Sequence, residues 1–277
     1  MPTVPTNGIE TYYERRGDGP PIVFVHGAVV DHDQWTPQLE SLSDEYTLVA
    51  YDVRGHGRTG GSTTDPYSIE LFAEDLDALL DALDVERPVL CGLSMGGCIA
   101  QVYAARHPDR IAGLVLADTF TPDMTRWDER LQLALLRATV VPARLVGYER
   151  VERAMVWLNE RLRTGVSGDY ERIRQLRAAG SRVETDEFAK VVRAVADFSR
   201  TSVDYSAISV PTLVLYGEND VPFVRRHAVT LGDAIPNATV RTVPRAGHAS
   251  NLDNPAFFDS VLERFVAQAV LSRAEAR

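Results

Sequence analysis

The sequence predicts an α/β protein in which a mostly parallel β-sheet is flanked by helices on both faces. Short, nearly continuous apolar runs recur along the chain, and such runs are typical of strands that are buried on both faces. Amphipathic helical patterns separate these runs, and a regular alternation of strand and helix favours a parallel sheet. The chain has 277 residues, enough for one large domain of this class that carries an inserted segment.

Five apolar runs and one further segment, residues 238–244, are the strand candidates. The apolar runs lie at residues 21–27, 47–52, 88–94, 111–118 and 211–220. After the second run, Ser68 is a suitable N-cap for a helix whose apolar side chains lie on one stripe. That stripe contains Ile69, Phe72, Leu76, Leu79, Leu80 and Leu83. A last helix is predicted to begin near Pro255, because proline is favourable in a first helical turn.

Residues 121–206 interrupt the alternation, since strand signals stop there and amphipathic segments follow at 129–141, 149–163 and 187–198. We therefore predict a core domain of residues 1–120 and 207–277, with a helical cap of residues 121–206 inserted between two strands. The large apolar residues of the cap either line an acyl pocket or pack within the cap, and packing is the commoner role. They are Met124, Trp127, Met155, Trp157 and Leu158. The cap arginines either pair with acids on solvated helix faces or favour a substrate that carries a carboxylate.

Composition and charge exclude several classes of function. The net charge of −10 and the absence of a basic cluster argue against a nucleic-acid partner. No apolar run is long enough to span a membrane and the first residues do not resemble a signal peptide, so we expect a cytoplasmic protein. Cys91 and Cys98 lack the spacing of a metal site and are expected to be small buried residues. A homo-oligomer is neither predicted nor excluded.

The segment "VLCGLSMGGCIAQ" contains the first chemical signal. Gly92, Ser94 and Gly96 fit the pattern G-x-S-x-G at a point where a strand becomes a helix. In such a turn the serine hydroxyl is exposed, and small neighbours are needed because the backbone is crowded. Ser94 is therefore either a nucleophile or a helix cap, and the strand–helix context favours the nucleophile.

A serine nucleophile needs a histidine base and an acid that orients the base. Of the six histidines, His248 lies in a loop between the last strand and the last helix, where it can reach the strand ends. His32 and His227 are expected to line the surface or the entrance. Asp220 and Asp118 each close a strand, so both are candidates for the acid.

Acyl transfer also requires stabilisation of an oxyanion by backbone N–H groups. Met95 follows the nucleophile at a helix N-terminus, where the helix dipole is favourable for an anion. The second N–H is expected from "HGA" after the first parallel strand, with Ala28 as the donor. His26 in that segment is expected to shape the loop.

The sequence resembles the α/β-hydrolase fold superfamily along nearly its whole length. Six segments look like family landmarks in family order: "HGAVVDHDQW", "YDVRGHGRTG", "GLSMGGCIAQ", "HPDRIAGLVLADT", "LVLYGENDVPF" and "AGHASNLDNP". The order Ser94, Asp220, His248 matches the nucleophile, acid and base of that family and favours Asp220 over Asp118. The resemblance implies an oxyanion hole of Ala28 and Met95 and no metal or organic cofactor.

Within the superfamily, the chain resembles capped carboxylesterases, 3-oxoadipate enol-lactone hydrolases and cofactor-free haloperoxidases or perhydrolases. Epoxide hydrolases and haloalkane dehalogenases are set aside, because they carry an aspartate where Ser94 stands. The turn that contains Asp52, Arg54 and His56 looks structural. We expect cleavage of a small ester, thioester or lactone through an acyl-enzyme. Carbon–carbon bond hydrolysis, perhydrolysis and a ligand receptor on the same fold are the alternatives.

Overall fold

The computed structural model describes residues 2–151, 153–154, 175–176 and 183–275. The strands within these residues are β1 (Thr3–Thr6), β2 (Ile9–Arg16), β3 (Pro21–Val25), β4 (Thr47–Tyr51), β5 (Val89–Leu93), β6 (Gly113–Ala117), β7 (Thr212–Gly217) and β8 (Ala238–Val243). They form an eight-stranded sheet in the order β1-β2-β4-β3-β5-β6-β7-β8. From β4 to β8 all neighbours are parallel, while β2 is antiparallel to both β1 and β4. The predicted α/β class with a mostly parallel sheet is confirmed.

The helices within the described residues are α1 (Thr36–Ser41), α2 (Ile69–Ala82), α3 (Met95–Arg106), α4 (Trp127–Ala138), α5 (Val140–Val146), α6 (Thr185–Asp197), α7 (Pro222–Ala234), α8 (Ser250–Asp253) and α9 (Pro255–Glu275). Helix α2 is capped as expected, since the Ser68 hydroxyl accepts a hydrogen bond from the backbone N–H of Leu71. The last helix begins at Pro255, as predicted. In the part of the chain that is described, no helix has the length and apolarity needed to cross a bilayer.

The hairpin of β1 and β2 lies outside the predicted strands. Asn7 and Gly8 join the two strands, and Gly8 has a φ of 77°, which suits a tight hairpin turn. β1 is the edge strand and β2 lies next to it. Both are partly exposed, so neither has the continuous apolar run of the central strands. Asn-Gly was the signal in the sequence that could have identified this hairpin.

The central strands send alternate side chains to two separate parts of the core. Val23 and Val25 contribute to the cluster that contains residues of α2 and α3, whereas Ile22 and Phe24 contribute to the cluster with α1 and α9. All four are fully buried. Because both faces of the sheet are covered, the accessible functional groups of the central strands lie at their ends.

Helices α4, α5 and α6 occupy the predicted insert between β6 and β7. They confirm the helical segments expected near 129–141 and 187–198, and Val140 of α5 packs with Ala189 and Val192 of α6. The segment expected at 149–163 falls largely outside the described residues, as do Met155, Trp157 and Leu158. Trp127 is 75% exposed and Met124 is buried, so of these two only Met124 packs in the core. The division into core and cap domains stays a prediction.

Candidate active site

Ser94 occupies a strained turn between β5 and α3. Its backbone has φ 55° and ψ −114°, a conformation that a serine adopts only when the surrounding structure imposes it. The neighbouring glycines show why the backbone is crowded there. A Cβ added to Gly92 would overlap the carbonyl of Gly96, and one added to Gly96 would overlap the carbonyl of Val25. The expected need for small residues on both sides of Ser94 is confirmed.

The hydroxyl of Ser94 does not cap the helix that it precedes. Ser94 is at the N-cap position of α3, but its side chain makes no capping hydrogen bond. The residue is held through its backbone, since its N–H donates to the carbonyl of Ala117 at 2.9 Å and its carbonyl accepts from the Thr119 hydroxyl at 2.7 Å. Both contacts leave the Ser94 hydroxyl available to another partner.

That partner is His248, which lies between Ser94 and Asp220. The Nε2 atom of His248 is 3.0 Å from Oγ of Ser94, and Nδ1 is 3.1 Å from each carboxylate oxygen of Asp220. Because a carboxylate only accepts hydrogen bonds, we assign the hydrogen of the neutral ring to Nδ1. Nε2 then has a lone pair that faces the Ser94 hydroxyl and can accept its proton.

The acid and the base differ in their access to solvent. The Asp220 side chain is fully buried, while the His248 side chain is 17% exposed. Asp220 is also fixed by its own loop, because its Oδ1 accepts the backbone N–H of Val221 at 2.6 Å. A buried carboxylate therefore orients an imidazole whose other nitrogen lies at a partly open site.

Asp118, the second candidate for the acid, is fully buried and has a positive φ of 46°. Its two oxygens accept the backbone N–H groups of Gly217 and Ser250, each at 2.9 Å. Burial and the neighbouring Asp220 carboxylate raise the pKa of Asp118 to about 8. The structure thus brings Asp220, and not Asp118, into hydrogen-bond contact with His248.

The two expected oxyanion donors flank the nucleophile in the fold. Met95 is the first residue of α3 and follows Ser94 directly. The loop after β3 lies beside the serine, since a Cβ placed on Gly27 would be 3.6 Å from Cβ of Ser94. Ala28 is the next residue of that loop. The loop of Ala28 and the start of α3 therefore both lie next to Ser94, and the role of their N–H groups as oxyanion donors stays a prediction.

His26 holds this loop in place, as expected from the sequence. Its Nδ1 donates to the carbonyl of Gly27 at 2.7 Å, and its Nε2 accepts the N–H of Val53 at 2.9 Å. Burial lowers the pKa of His26, so the ring stays neutral at physiological pH. With both nitrogens occupied by backbone groups, His26 is not a candidate base.

The turn after β4 has the structural role that its sequence suggested. Arg54 makes a buried, two-pronged ion pair with Asp75, with N–O distances of 2.7 and 2.6 Å. The ring of His56 faces the carbonyls of Val53 and Arg54 through Nδ1, and burial lowers its pKa to about 3. None of these groups contacts Ser94.

His32 and His227 were expected to line the surface or the entrance, and that expectation is wrong. Each is only 3% exposed. Nδ1 of His32 lies 2.7 Å from Asp52, and Nδ1 of His227 accepts the N–H of Thr121 at 3.1 Å. Neither contact is visible in the sequence, because the partners are 20 and 106 residues away.

One group of potential metal ligands occurs among the described residues. Ligand atoms of Asp31, His32 and Asp33 lie within 4.8 Å of one another. Two of these side chains are already engaged, since Asp31 accepts the backbone N–H of Asp33 and His32 pairs with Asp52. The group therefore supports the loop before α1 and gives no reason to assign a metal.

The described arginines of the insert mostly pair with acids. Arg137 pairs with Asp197, Arg144 lies 3.7 Å from Asp186, and Asp128 is shared by Arg126 and Arg226. These pairs match the expectation of charges that neutralise one another on helix faces. Among the described residues they do not favour a substrate that carries a carboxylate.

Comparison with known proteins identifies the family. A family model for the alpha/beta hydrolase fold matches residues 20–255. An enol-lactonase from Burkholderia xenovorans LB400, known from its crystal structure, is similar to this chain with 27% sequence identity. Its TM-score is 0.78, and the match covers 96% of this chain and 100% of that one. A thermophilic esterase from Thermogutta terrifontis is 26% identical, with a TM-score of 0.79 over 96% of this chain and 98% of that one. A non-heme chloroperoxidase from Kitasatospora aureofaciens is 29% identical over 90% of this chain and 92% of its own length. This chain therefore belongs to the alpha/beta hydrolase fold family.

Proposed function

We propose that this protein is a serine hydrolase that cleaves a small carboxylic ester, thioester or lactone through an acyl-enzyme. One observation carries the proposal: His248 lies within hydrogen-bond distance of both the Ser94 hydroxyl and the Asp220 carboxylate. The strained turn at Ser94 supports it, because positive φ at a non-glycine residue is retained where function requires an exposed side chain.

In the first half of the reaction, Oγ of Ser94 attacks the carbonyl carbon and its proton passes to Nε2 of His248. Asp220 holds the ring in the required tautomer and stabilises the imidazolium that forms. The backbone N–H groups of Ala28 and Met95 stabilise the tetrahedral oxyanion, an effect worth about 3 kcal/mol per donor. The intermediate collapses when the C–O bond, or the C–S bond of a thioester, breaks and the leaving group takes the proton from His248.

In the second half, a water molecule enters and His248 Nε2 removes its proton as the water oxygen attacks the acyl carbon. A second oxyanion forms at the same two N–H groups. The acyl–Ser94 bond then breaks, Oγ recovers its proton from His248 and the carboxylic acid leaves. Each proton is returned, so the enzyme needs no other reactant than water.

The relatives support the ester and lactone class at a coarse level. An enol-lactonase and an esterase share this chain's fold over nearly the whole length of both partners. The chloroperoxidase relative favours one further candidate, a perhydrolase in which hydrogen peroxide replaces water in the second half of the reaction. A carbon–carbon bond hydrolase would use the same three side chains on a diketone, and a receptor would bind a ligand without turnover.

The first experiment is hydrolysis of short-chain p-nitrophenyl esters by the wild-type protein and by Ser94→Ala, with mass spectrometry to detect the acylated serine. We expect turnover by the wild type and a ~10⁴- to 10⁶-fold loss in Ser94→Ala, because members of a triad act as a unit. Ser68→Ala is the matched control, since Ser68 loses a hydroxyl that acts at the start of α2, where it caps the helix and binds Glu70. Addition of peroxide, with peracid as the product measured, separates the perhydrolase.

Near-normal turnover in Ser94→Ala would remove the nucleophile assignment. If the folded wild-type protein is acylated neither by esters nor by lactones, the proposed hydrolysis is contradicted. In that case the receptor alternative gains support, and a panel of lactones and diketones tested for binding alone would be the next measurement.

A further inference from the structure

Three consecutive residues at the end of β6 contact all three segments that carry the proposed catalytic groups. The carbonyl of Ala117 and the hydroxyl of Thr119 bind the backbone of Ser94 on either side. Between them, the carboxyl group of Asp118 accepts the N–H of Gly217 and the N–H of Ser250. We call residues 117–119 the β6 clamp.

The two N–H groups held by Asp118 belong to the loops of the acid and the base. Gly217 ends β7 three residues before Asp220, and its carbonyl accepts the N–H of Asp220 at 3.0 Å. Ser250 follows His248 by two residues and begins α8. The same carboxyl group therefore binds the loop of the acid and the loop of the base. These are the two loops that place Asp220 and His248 within 3.1 Å of each other.

We propose that Asp118 is a positioning residue for the proposed reaction, which joins the Asp220 and His248 loops through its two oxygens and thereby fixes the geometry of the acid–base pair. The inference rests on the proposed function and extends it to a residue that touches neither the substrate nor the reacting atoms.

A carboxyl group is suited to this task because it presents two acceptors in one plane. An asparagine has the same shape, but one of its two arms is an NH₂ group that would face a backbone N–H. The positive φ of 46° at Asp118 also indicates that the backbone is held against its ordinary preference, as at Ser94. Both features are those of a residue whose conformation the fold imposes.

The charges around Asp118 are consistent with this role. The titratable groups that interact with it electrostatically are the carboxylate of Asp220, the imidazole of His248 and the thiol of Cys91. Burial and the Asp220 carboxylate raise the pKa of Asp118, while His248 and the hydrogen bond from Ser250 lower it. The negative charge of Asp220 is the one in direct contact with His248.

The test compares Asp118→Asn with Asp75→Asn and wild type in steady-state hydrolysis of a p-nitrophenyl ester. Asp118→Asn should lower kcat about 10- to 100-fold with KM changed less than about threefold, since small misplacements of a catalytic group have effects of this size. The pH profile of kcat should shift, because the environment of His248 changes. Asp75→Asn breaks a buried ion pair away from the triad, so it should lower the melting temperature and leave kcat and the pH profile as in the wild type.

Wild-type kcat and pH profile in a folded Asp118→Asn protein would overturn the inference. A loss as deep as that of Asp220→Asn would overturn it too, since Asp118 would then be the acid itself. If Asp118→Asn does not fold, Ser250→Pro tests the same contact from the other side, because it removes the backbone N–H that Asp118 accepts and proline is tolerated at the first position of a helix. A kcat decrease of several-fold at constant KM is expected there, and no decrease contradicts the proposal.

A second readout requires no substrate. The hydrogen between His248 Nδ1 and Asp220 should give a low-field proton NMR resonance, which we expect to move or broaden in Asp118→Asn and to remain in Asp75→Asn. If the wild type shows the resonance but is not acylated, the proposed function fails and the positioning role is still tested. If the wild type is acylated and the resonance and kcat are unchanged in Asp118→Asn, only the positioning role fails.

Discussion

Two histidine–aspartate pairs in the described part of the chain look alike in composition and differ in what surrounds them. In the first pair, Nδ1 of His32 lies 2.7 Å from Asp52 and the ring is 4% exposed. In the second, Nδ1 of His248 lies 3.1 Å from Asp220 and the ring is 17% exposed. The remaining nitrogen of His32 faces the carboxylate of Asp33 at 3.4 Å, whereas that of His248 faces the Ser94 hydroxyl at 3.0 Å.

The difference shows that an imidazole–carboxylate pair is not by itself a catalytic device. Burial lowers the pKa of His32, but the acids on either side of the ring raise it above the ordinary value, and the ring holds a loop through its contact with Asp52. His248 has one acid on one side and a hydroxyl on the other, so it can gain and release a proton. Burial closes the first pair to a substrate, while the second remains partly open.

The largest expected effect separates the two aspartates by activity. Asp220→Asn should lower kcat ~10³- to 10⁴-fold, because the amide supports the wrong tautomer of His248 and cannot stabilise its cation. Asp52→Asn should retain kcat within a few-fold and lower the free energy of unfolding by about 1–3 kcal/mol, since Asp52 accepts the N–H groups of His32 and Arg58. Ester hydrolysis and chemical denaturation measure the two quantities, and a deeper loss of kcat in Asp52→Asn would reverse the assignment of the pairs.

The next effect concerns stability as a function of pH. Burial opposes protonation of His32, but the hydrogen bond and charge of Asp52, with Asp33 and Asp31 nearby, raise its pKa above the ordinary value. A raised histidine pKa means that the stabilisation is fully present below about pH 6.5 and is lost as the pH rises through the folded-state pKa. The wild type should therefore be more stable than His32→Gln by roughly 1.5–3 kcal/mol at pH 5.5, with a smaller difference at pH 8.5.

Thermal unfolding of both proteins across this pH range is the measurement. An Asp52→Asn background is the control, because the pH dependence of the difference should largely disappear when the main acidic partner is neutral. A difference that grows as the pH rises would show that the folded state lowers the pKa of His32 and would contradict the raised value.

The smallest expected effect is a difference in chemical reactivity. Diethyl pyrocarbonate acylates unprotonated, accessible imidazole nitrogens, so His248 should be modified before His32, His26 and His56, which are buried. Peptide mapping at increasing times would give the order, and loss of esterase activity should follow modification of His248. Labelling of His32 at the same rate as His248 would show that the two pairs do not differ in access.

Much of the fold could be predicted from local sequence. The central strands have continuous apolar runs because both faces are buried, and α2 has an apolar stripe and a serine cap, so each element carries its own signal. The hairpin of β1 and β2 carries a weaker signal, since its strands are partly exposed and keep polar side chains. Its Asn-Gly turn was informative and its burial pattern was not.

The candidate site divides in the same way. The turn at Ser94 was predictable, because strand, glycine, serine, glycine and helix follow one another within a short segment. The choice between Asp220 and Asp118 was not fixed by position, since both close parallel strands at the same edge of the sheet. It follows from partners 28 and 132 residues away: His248 for Asp220, and Ser250 for Asp118.

The sequence by itself determined the strands of the parallel sheet, the nucleophile turn and the order of its candidate partners, because these depend on side-chain periodicity and on backbone freedom over a few residues. Only the tertiary structure decided which aspartate meets His248, that Asp118 joins two loops, and that His32 is enclosed. The physical reason is that a buried polar group takes its hydrogen-bond partners from whatever the fold brings near it. Those partners come from distant segments and leave no local pattern.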